Sequence, residues 1–199
     1  VPAQDKAANP MLAGKYDGTQ DIKNWIMSEK LDGVRCIWDG EVMRSRTGNL
    51  FYPPDFFIEH FPKDMILDGE LFFARGEFQK AVSIVRRQDK NDEWKGITYL
   101  IFDGPALNGN FSKRLKLLEQ KLSEIDSDYI KLHEHEKCRD DEHLQSEMKR
   151  VTALGGEGMM VRVPKSPYEH RRTKTMLKVK EFLDDEATVI GINKGTGRC

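Results

Sequence analysis

Five short segments hold the residues whose types and spacing could do chemistry. The first is Lys30-Leu31-Asp32-Gly33-Val34-Arg35, in which a lysine and an arginine flank an Asp-Gly pair that can form a tight turn. A lysine amine acts as a nucleophile when nearby cations favour its neutral form, and arginine can hold a phosphate. Taken alone, the segment also fits a surface turn between strands with solvated charges.

Two further segments place carboxylates among apolar residues or glycines. In Leu67-Asp68-Gly69-Glu70-Leu71, carboxylates would be costly to bury unless they bind a cation or accept hydrogen bonds, although Glu70 could instead lie on a solvated strand face. In residues 155–162, three glycines surround Glu157, which indicates close approach of a ligand and a carboxylate placed for a metal. The alternative is a helix end followed by a strand.

The last two segments offer an aromatic ring and a basic surface. In residues 99–104, Phe102 could stack on a planar base or belong to an ordinary core. Lys178 and Lys180 are two residues apart, so a strand would place both on one face. Between residues 165 and 180 the sequence has six basic residues and one acidic residue, which fits either a polyanion site or a solvated strand.

Taken in order, these segments resemble the motif series of the covalent nucleotidyltransferases, which comprise ATP-dependent DNA ligases, RNA ligases and mRNA capping enzymes. The resemblance covers residues 11–193 and is greatest to small DNA ligases. Residues 157–162 are similar to their E-G-x-M-x-R segment, and residues 184–191 are similar to the D-x-E-A-x-V-x-G run after their K-x-K pair. The resemblance implies an α+β, ATP-grasp-like domain with two mainly antiparallel sheets, flanking helices and a nucleotide cleft between the sheets.

The same resemblance implies a role for each matched residue. Lys30 would attack the α-phosphate of ATP and carry AMP as a covalent intermediate. Phe102 would stack on adenine and Glu70 would hold the ribose hydroxyls, while the backbone near Ser28 and Glu29 would read the edge of the base. The residues implied in nucleotide binding are Ser28, Glu29, Arg35, Arg46, Glu70, Phe102, Lys178 and Lys180.

Metal and DNA contacts follow from the resemblance as well. Glu70 and Glu157 would place Mg²⁺, for which Mn²⁺ is an alternative, and the nucleic-acid partner would be nicked duplex DNA. Arg46 and Arg172 would contact that DNA, after which the 3′-hydroxyl of the nick would seal it and release AMP. The sequence departs from the family pattern at residues 170–173, because His-Arg-Arg-Thr stands where Gly-Arg-Ser is usual.

Three other functions stay open at the level of the sequence. A capping enzyme would use GTP, an RNA ligase would act on a different strand, and a non-catalytic nucleic-acid-binding module would use only the basic segment. The binding module is disfavoured because it gives no reason to keep five residues together: Lys30, Glu70, Glu157, Lys178 and Lys180.

Hydrophobic periodicity and turn residues predict the elements that must position these side chains. We expect helices at 55–60, 78–87, 112–125 and 140–154, and strands at 28–38, 41–46, 65–73, 97–103, 129–133, 157–163, 176–182 and 187–193. Asp39-Gly40 should form a two-residue hairpin turn, and Asp55 and Ser112 should cap helices. The last helix should end at Gly155-Gly156.

We expect three regions along the chain. Residues 1–10 read as a lead-in, 11–193 as the nucleotidyltransferase domain, and 194–199 as the start of a linker to a C-terminal OB-fold domain outside this chain. This organisation combines the glycine-containing end of the sequence with what the resemblance implies for small ligases.

Composition excludes several classes of protein. With 199 residues, 38% hydrophobic, 33% charged and a net charge of −1, the chain suits a folded protein with a sizeable core rather than a disordered one. Its apolar runs are strand-sized, so we expect no membrane helix. Three cysteines without a C-x-x-C pair favour reduced thiols over a zinc site or a disulfide framework. We therefore expect an intracellular monomer of undetermined compartment, although Val1 leaves a processed, exported form open.

Overall fold

The computed structural model describes residues 9–180. Within that range the strands are β1 (Leu12–Lys15), β2 (Ile26–Lys30), β3 (Val34–Trp38), β4 (Met43–Arg44), β5 (Leu67–Phe72), β6 (Thr98–Asp103), β7 (Ile130–Leu132), β8 (Glu136–Lys137), β9 (Gly158–Arg162) and β10 (Arg172–Val179). The α-helices are α1 (Asp55–Ile58), α2 (Phe78–Val85), α3 (Phe111–Ser123) and α4 (Asp141–Ala153), and Asp92–Gly96 forms a 3₁₀ helix.

The strands form two sheets of five. The first sheet has the order β1-β10-β9-β2-β8, and the second has the order β4-β3-β5-β6-β7. Pairing is parallel between β1 and β10 and between β6 and β7, and it is antiparallel between the other neighbours. The prediction of an α+β fold with two mainly antiparallel sheets is confirmed.

Each sheet has its own hydrophobic core. Behind the second sheet, Phe57 of α1, Ile84 of α2 and Trp94 of the 3₁₀ helix are fully or almost fully buried with the strand residues. A second cluster buries one face of α4, including Leu144 and Val151, against the first sheet. Burial of these apolar surfaces supplies most of the driving force for folding and fixes the two sheets as separate layers.

The predicted continuous strand over 28–38 is wrong, and the difference determines the site. The chain leaves the first sheet after Lys30 and enters the second sheet at Val34. A Cβ at Gly33 would lie 2.3 Å from the carbonyl oxygen of Leu71, so only glycine allows this close crossing. The break spans Leu31, Asp32 and Gly33, and it includes the Asp-Gly pair that can form a tight turn.

Two predicted helix caps are also wrong. Asn110 rather than Ser112 caps α3, because its side-chain oxygen accepts a 2.9 Å hydrogen bond from the Lys113 amide. Asp55 is the first residue of α1, whose N-cap is Pro54 and has no side-chain hydrogen bond. Each predicted cap lies one or two positions after the observed one, because sequence spacing does not distinguish the N-cap residue from the first turn of a helix.

The remaining differences concern short elements. The 39–44 hairpin forms with a four-residue connection rather than a two-residue turn, and Asp39 Oδ1 accepts bonds from the amides of Glu41 and Val42. β1 and β8 were not predicted, and β10 begins earlier than expected, at Arg172. The predicted strand at 187–193 and the linker at 194–199 lie outside the described residues. No helix within residues 9–180 is both long and apolar enough to span a bilayer.

Candidate active site

A cleft of about 260 Å³ opens between the two sheets. Its walls come from β1, β2, β9 and β10 of the first sheet and from β3, β5 and β6 of the second. Nine of the predicted site residues line it, which are Ser28, Glu29, Lys30, Arg35, Arg46, Glu70, Phe102, Arg172 and Lys178. Residues that are far apart in the sequence therefore meet in one concave site.

Lys30 lies at the end of β2, opposite Gly158 of β9. Its Nζ is 3.1 Å from Oε1 of Glu157, and the other carboxylate oxygen of Glu157 is 3.5 Å from Nζ of Lys180. The structure thus brings Glu157 and Lys180 to the cleft as well. An amine attacks with its lone pair, which an ammonium does not have, so Lys30 must react as the neutral amine.

Glu70 lies on β5, directly opposite Arg35 of β3. One of its carboxylate oxygens accepts a 3.2 Å hydrogen bond from the backbone amide of Gly33. Burial raises the pKa of Glu70 to about 7, although Arg35, the Gly33 amide and Lys30 act in the opposite direction. A carboxylate placed in this way can accept hydrogen bonds from the hydroxyls of a sugar.

Arg35 is held in a buried network rather than left free. It donates 2.7 Å hydrogen bonds from Nε and Nη2 to the two oxygens of Asp68, and Nη2 also donates to the carbonyl of Met11 at 2.8 Å. The hydroxyl of Tyr168 donates to Asp68 at 2.7 Å and accepts from the Met11 amide at 3.0 Å. These bonds explain how Asp68 is tolerated in an apolar strand.

Phe102 contributes the aromatic wall of the cleft. The guanidinium carbon of Arg35 lies 5.0 Å from the centre of its ring, within the range of a cation–π contact. Apolar side chains complete the pocket, including Ile26, Met160 and Met176. A flat aromatic ring between apolar residues suits a planar base, as predicted for Phe102.

The part of the cleft around Lys178 is rich in cations. Burial lowers the pKa of Lys178, and Arg172, Lys180, Lys30 and Lys15 lower it further. Crowded cations of this kind repel one another until an anion enters, so this part suits a polyphosphate. Lys15 was not predicted, and β1 places it beside Lys178.

The two arginines predicted to contact DNA lie at the rim. Arg46 is exposed in the turn after β4 and makes no ion pair with any residue in the 9–180 range. Arg172 begins β10 and donates a 2.5 Å hydrogen bond from Nη1 to the carbonyl of Ala13. Both residues also line the cleft.

Two histidines in the cleft wall were missed. Nε2 of His133 is 2.8 Å from the carbonyl oxygen of Glu29, and Nδ1 of His135 is 2.8 Å from the carbonyl oxygen of His133. Burial lowers the pKa of both rings, and that of His135 falls to about 3, so both are neutral at pH 7. Their alternation after β7 was the available signal, but the predicted strand ended at His133.

A second buried network was also missed. Arg162, at the end of β9, donates to Asp103 and lies 4.0 Å above the ring of Phe111. Arg114 of α3 donates a 2.8 Å bond to the same carboxylate. Asp103 therefore joins β6, β9 and α3 just behind the cleft, and Arg162 acts here as a structural residue of the segment that begins at Glu157.

Among residues 9–180, no group of three or more His, Cys, Asp or Glu side chains could form a closed metal site. Glu70 and Glu157 nevertheless fit Mg²⁺, because this ion is commonly held by one or two carboxylates together with substrate phosphates and water. The neighbouring cationic residues fit the same arrangement, since they would hold the phosphates.

Comparisons with known proteins agree with this geometry. A family model described as an ATP-dependent DNA ligase domain matches residues 10–180. A curated DNA ligase of Haemophilus influenzae is 39% identical over 188 residues, which cover 94% of this chain and 69% of that protein.

Solved structures give the same result. A Lig E DNA ligase, described as binding DNA with a minimal scaffold, is 31% identical with a TM-score of 0.81, and the match covers 87% of this chain and 69% of that one. A Chlorella virus DNA ligase–adenylate, at 20% identity, shares the fold with a TM-score of 0.72 over 87% of this chain and 68% of that one. Capping enzymes, RNA ligases and non-catalytic modules are not favoured. The family model that matches residues 10–180 and the relative at 39% identity show that the chain belongs to the ATP-dependent DNA ligase family.

Proposed function

We propose that Lys30 is the nucleophile of this ATP-dependent DNA ligase domain. The observation that carries the proposal is its position: Lys30 lines the same cleft as Phe102 and Lys178, and its charge is near enough to lower the pKa of Lys178. A nucleotide with its base on Phe102 and its phosphates toward Lys178 would extend past Lys30.

In the first step, the lone pair of Lys30 Nζ forms a bond to the α-phosphorus of ATP. The bond from that phosphorus to the bridging oxygen breaks, pyrophosphate leaves, and the nitrogen loses a proton. AMP then passes to an oxygen of the 5′-phosphate at a DNA nick, the phosphorus–nitrogen bond breaks, and Lys30 regains a proton. The oxygen of the 3′-hydroxyl then forms a bond to the 5′-phosphorus and loses its proton. The bond from that phosphorus to the oxygen bridging to AMP breaks, so the strand is closed and AMP leaves.

The neighbouring side chains would bind and orient the reactants. Glu70 would accept hydrogen bonds from the ribose hydroxyls, and Lys178 and Lys180 would hold the phosphate oxygens on which charge builds as pyrophosphate leaves. The backbone at Ser28 and Glu29 would read the base edge. Arg35 is fixed by Asp68 and would contact the ribose or the nick phosphate from a rigid position.

Glu70 and Glu157 would hold Mg²⁺, with Mn²⁺ as an alternative. The ion, when bound, would supply positive charge to the phosphate oxygens. Glu157 is also the present partner of Lys30, so binding of the ion by Glu157 would replace this contact.

Nicked duplex DNA would bind across the rim of the cleft. Arg46 and Arg172 would contact phosphates there, since such contacts position a protein on DNA without reading its sequence. We also propose that the chain acts as an intracellular monomer, and that residues 11–193 form its nucleotidyltransferase domain.

Intact-mass measurement of the purified chain tests the proposal. After incubation with Mg²⁺ and ATP, we expect a mass increase of one AMP that pyrophosphate reverses, and none with Lys30→Ala. GTP should give no adduct. An adduct on Lys30→Ala, a GMP adduct, or no adduct on the wild-type chain with ATP would each contradict the proposal, provided circular dichroism shows that the chain is folded.

A further inference from the structure

Glu29 and Arg75 form an ion pair on the face of β2 opposite to Lys30. Side chains alternate along a strand, so the carboxylate of Glu29 lies on the other face of β2 from the side chain of Lys30, although Glu29 also contributes to the cleft wall. It faces a larger groove of about 870 Å³, the rear groove, which is lined by Glu29, Arg75, Glu147 and Arg150 among others but not by Lys30. Nε and Nη2 of Arg75 each donate a 2.9 Å hydrogen bond to one carboxylate oxygen of Glu29.

This pair joins the two sheets. Glu29 belongs to β2 of the first sheet, and Arg75 lies in the loop that follows β5 of the second. β5 is the strand that carries Glu70. A two-bond contact between a guanidinium and a carboxylate fixes orientation as well as distance. The pair therefore limits how far the Lys30 strand can move relative to the Glu70 strand.

Two more contacts hold Glu29 in place. Its carbonyl oxygen accepts a 2.8 Å hydrogen bond from Nε2 of His133, whose own amide donates to Ile101, the neighbour of Phe102. Its carboxylate also packs against Gly156, where an added Cβ would lie 3.0 Å from Oε2 of Glu29. Gly156 immediately precedes Glu157, so Glu29 contacts the segments that carry Glu70 and Glu157 and is linked through His133 to the strand that carries Phe102.

We propose that Glu29 and Arg75 are positioning residues for Lys30 in lysyl-AMP formation, an inference that rests on the function proposed above. Ion pairs with an exposed partner contribute little to the stability of a fold, and the side chain of Arg75 is 38% exposed while that of Glu29 is 14% exposed. Loss of the pair should therefore affect the placement of Lys30 more than it affects folding. Misplacing a reacting group by about 1 Å can slow a reaction by roughly a hundredfold.

Single-turnover adenylation of four variants tests this role. Arg75→Ala and Glu29→Gln should lower the rate constant at saturating ATP by about tenfold or more, with the ATP concentration for half-saturation changed by less than about threefold. The rate constant of Arg75→Lys should lie between those of the wild type and Arg75→Ala, because an ammonium group keeps the positive charge but cannot reproduce the planar two-bond contact. Arg87→Ala is the matched control. Arg87 is 47% exposed, its Nη2 lies 2.6 Å from Oδ2 of Asp89, and it does not line the cleft.

A double variant tests whether the two residues act as one unit. Glu29→Gln combined with Arg75→Ala should be no slower than the slower single variant. Multiplication of the two single effects would overturn the proposal. So would wild-type rates for Arg75→Ala, or a change confined to the ATP requirement, which would make Arg75 a nucleotide-binding residue instead.

Hydrogen exchange provides a readout that does not depend on activity. Arg75→Ala should speed amide exchange in residues 26–30 and 156–158 relative to Arg87→Ala, while both variants melt within a few degrees of the wild type. Unchanged exchange in these segments would overturn the positioning role. If the wild-type chain formed no AMP adduct, the function proposed for Lys30 would fail, and this comparison would still decide whether the pair fixes β2.

Discussion

The carboxyl of Glu70 has a raised pKa and lies in the cleft. This carboxyl faces Arg35, Lys30 and Asp68 and accepts a hydrogen bond from Gly33, and burial nevertheless raises its pKa to about 7 from 4.5. The folded state therefore binds the proton of Glu70 more tightly than the unfolded state does. This difference links the stability of the domain to pH.

Replacing Glu70 by Gln should remove that link. The stabilising effect of the protonated carboxyl is fully present below pH 4.5 and is lost as pH rises through about 7. Relative to Glu70→Gln, the wild-type chain should thus lose stability between pH 5 and 8, by at most about 3 kcal/mol at roughly 1.4 kcal/mol per pKa unit. Urea unfolding of both chains at several pH values in this range measures their free energies of unfolding. A difference between the two that does not change with pH would contradict the prediction.

Among the elements, the break between β2 and β3 matters most for the site. It places Lys30 on one sheet and Arg35 on the other, although five positions separate them in sequence. Gly33 permits the crossing because the backbone of Leu71 leaves no room for a side chain. The geometry of the cleft therefore depends on one small residue between two strands.

Gly33→Ala should destabilise the chain by about 2 kcal/mol or more, since its Cβ would meet a carbonyl oxygen that belongs to a central strand. Gly18→Ala is the control, because Gly18 has open space around it and a φ of +92°, which costs an alanine only about 1 kcal/mol. Denaturant unfolding compares the two, and equal losses would show that the crossing tolerates a side chain.

At the level of the whole molecule, two hydrophobic cores are separated by the cleft. The first sheet packs on α4, whereas the second packs on α1, α2 and α3. Polar contacts join them, including the Arg35–Asp68–Tyr168 network around Met11. An AMP group on Lys30 would add a further link, because its base would rest on Phe102 of the other sheet.

The chain with AMP attached to Lys30 should consequently unfold more cooperatively than the chain without AMP. We expect its ratio of van't Hoff to calorimetric enthalpy to lie closer to one, together with a higher melting temperature. Scanning calorimetry of the chain before and after treatment with pyrophosphate measures both quantities. Identical ratios would mean that the two cores already unfold as one unit without the nucleotide.

Most of the residues that sequence patterns singled out lie together in one cleft, whereas the connections between elements were predicted less well. Lys30, Glu70 and Glu157 carry unusual local patterns, and all three lie in or beside the cleft. Arg75 could not be found in this way, because its partner Glu29 is distant in the chain. The alternation of His133 and His135 was a signal, but the predicted strand ended at His133. The strand break at Gly33 had a local signal in the Asp32-Gly33 pair, but such a pair does not report that the chain moves to another sheet.

The position of Glu157 between two lysines has one more consequence. Its carboxylate contacts Lys30 at 3.1 Å and Lys180 at 3.5 Å, where it partly neutralises two cations in the way that a phosphate would. Nucleotide entry is then an exchange of anions, in which an internal one gives way to an external one. Like any competition for a shared partner, this exchange lowers the apparent affinity for weakly charged anions and favours ligands that carry several negative charges close together.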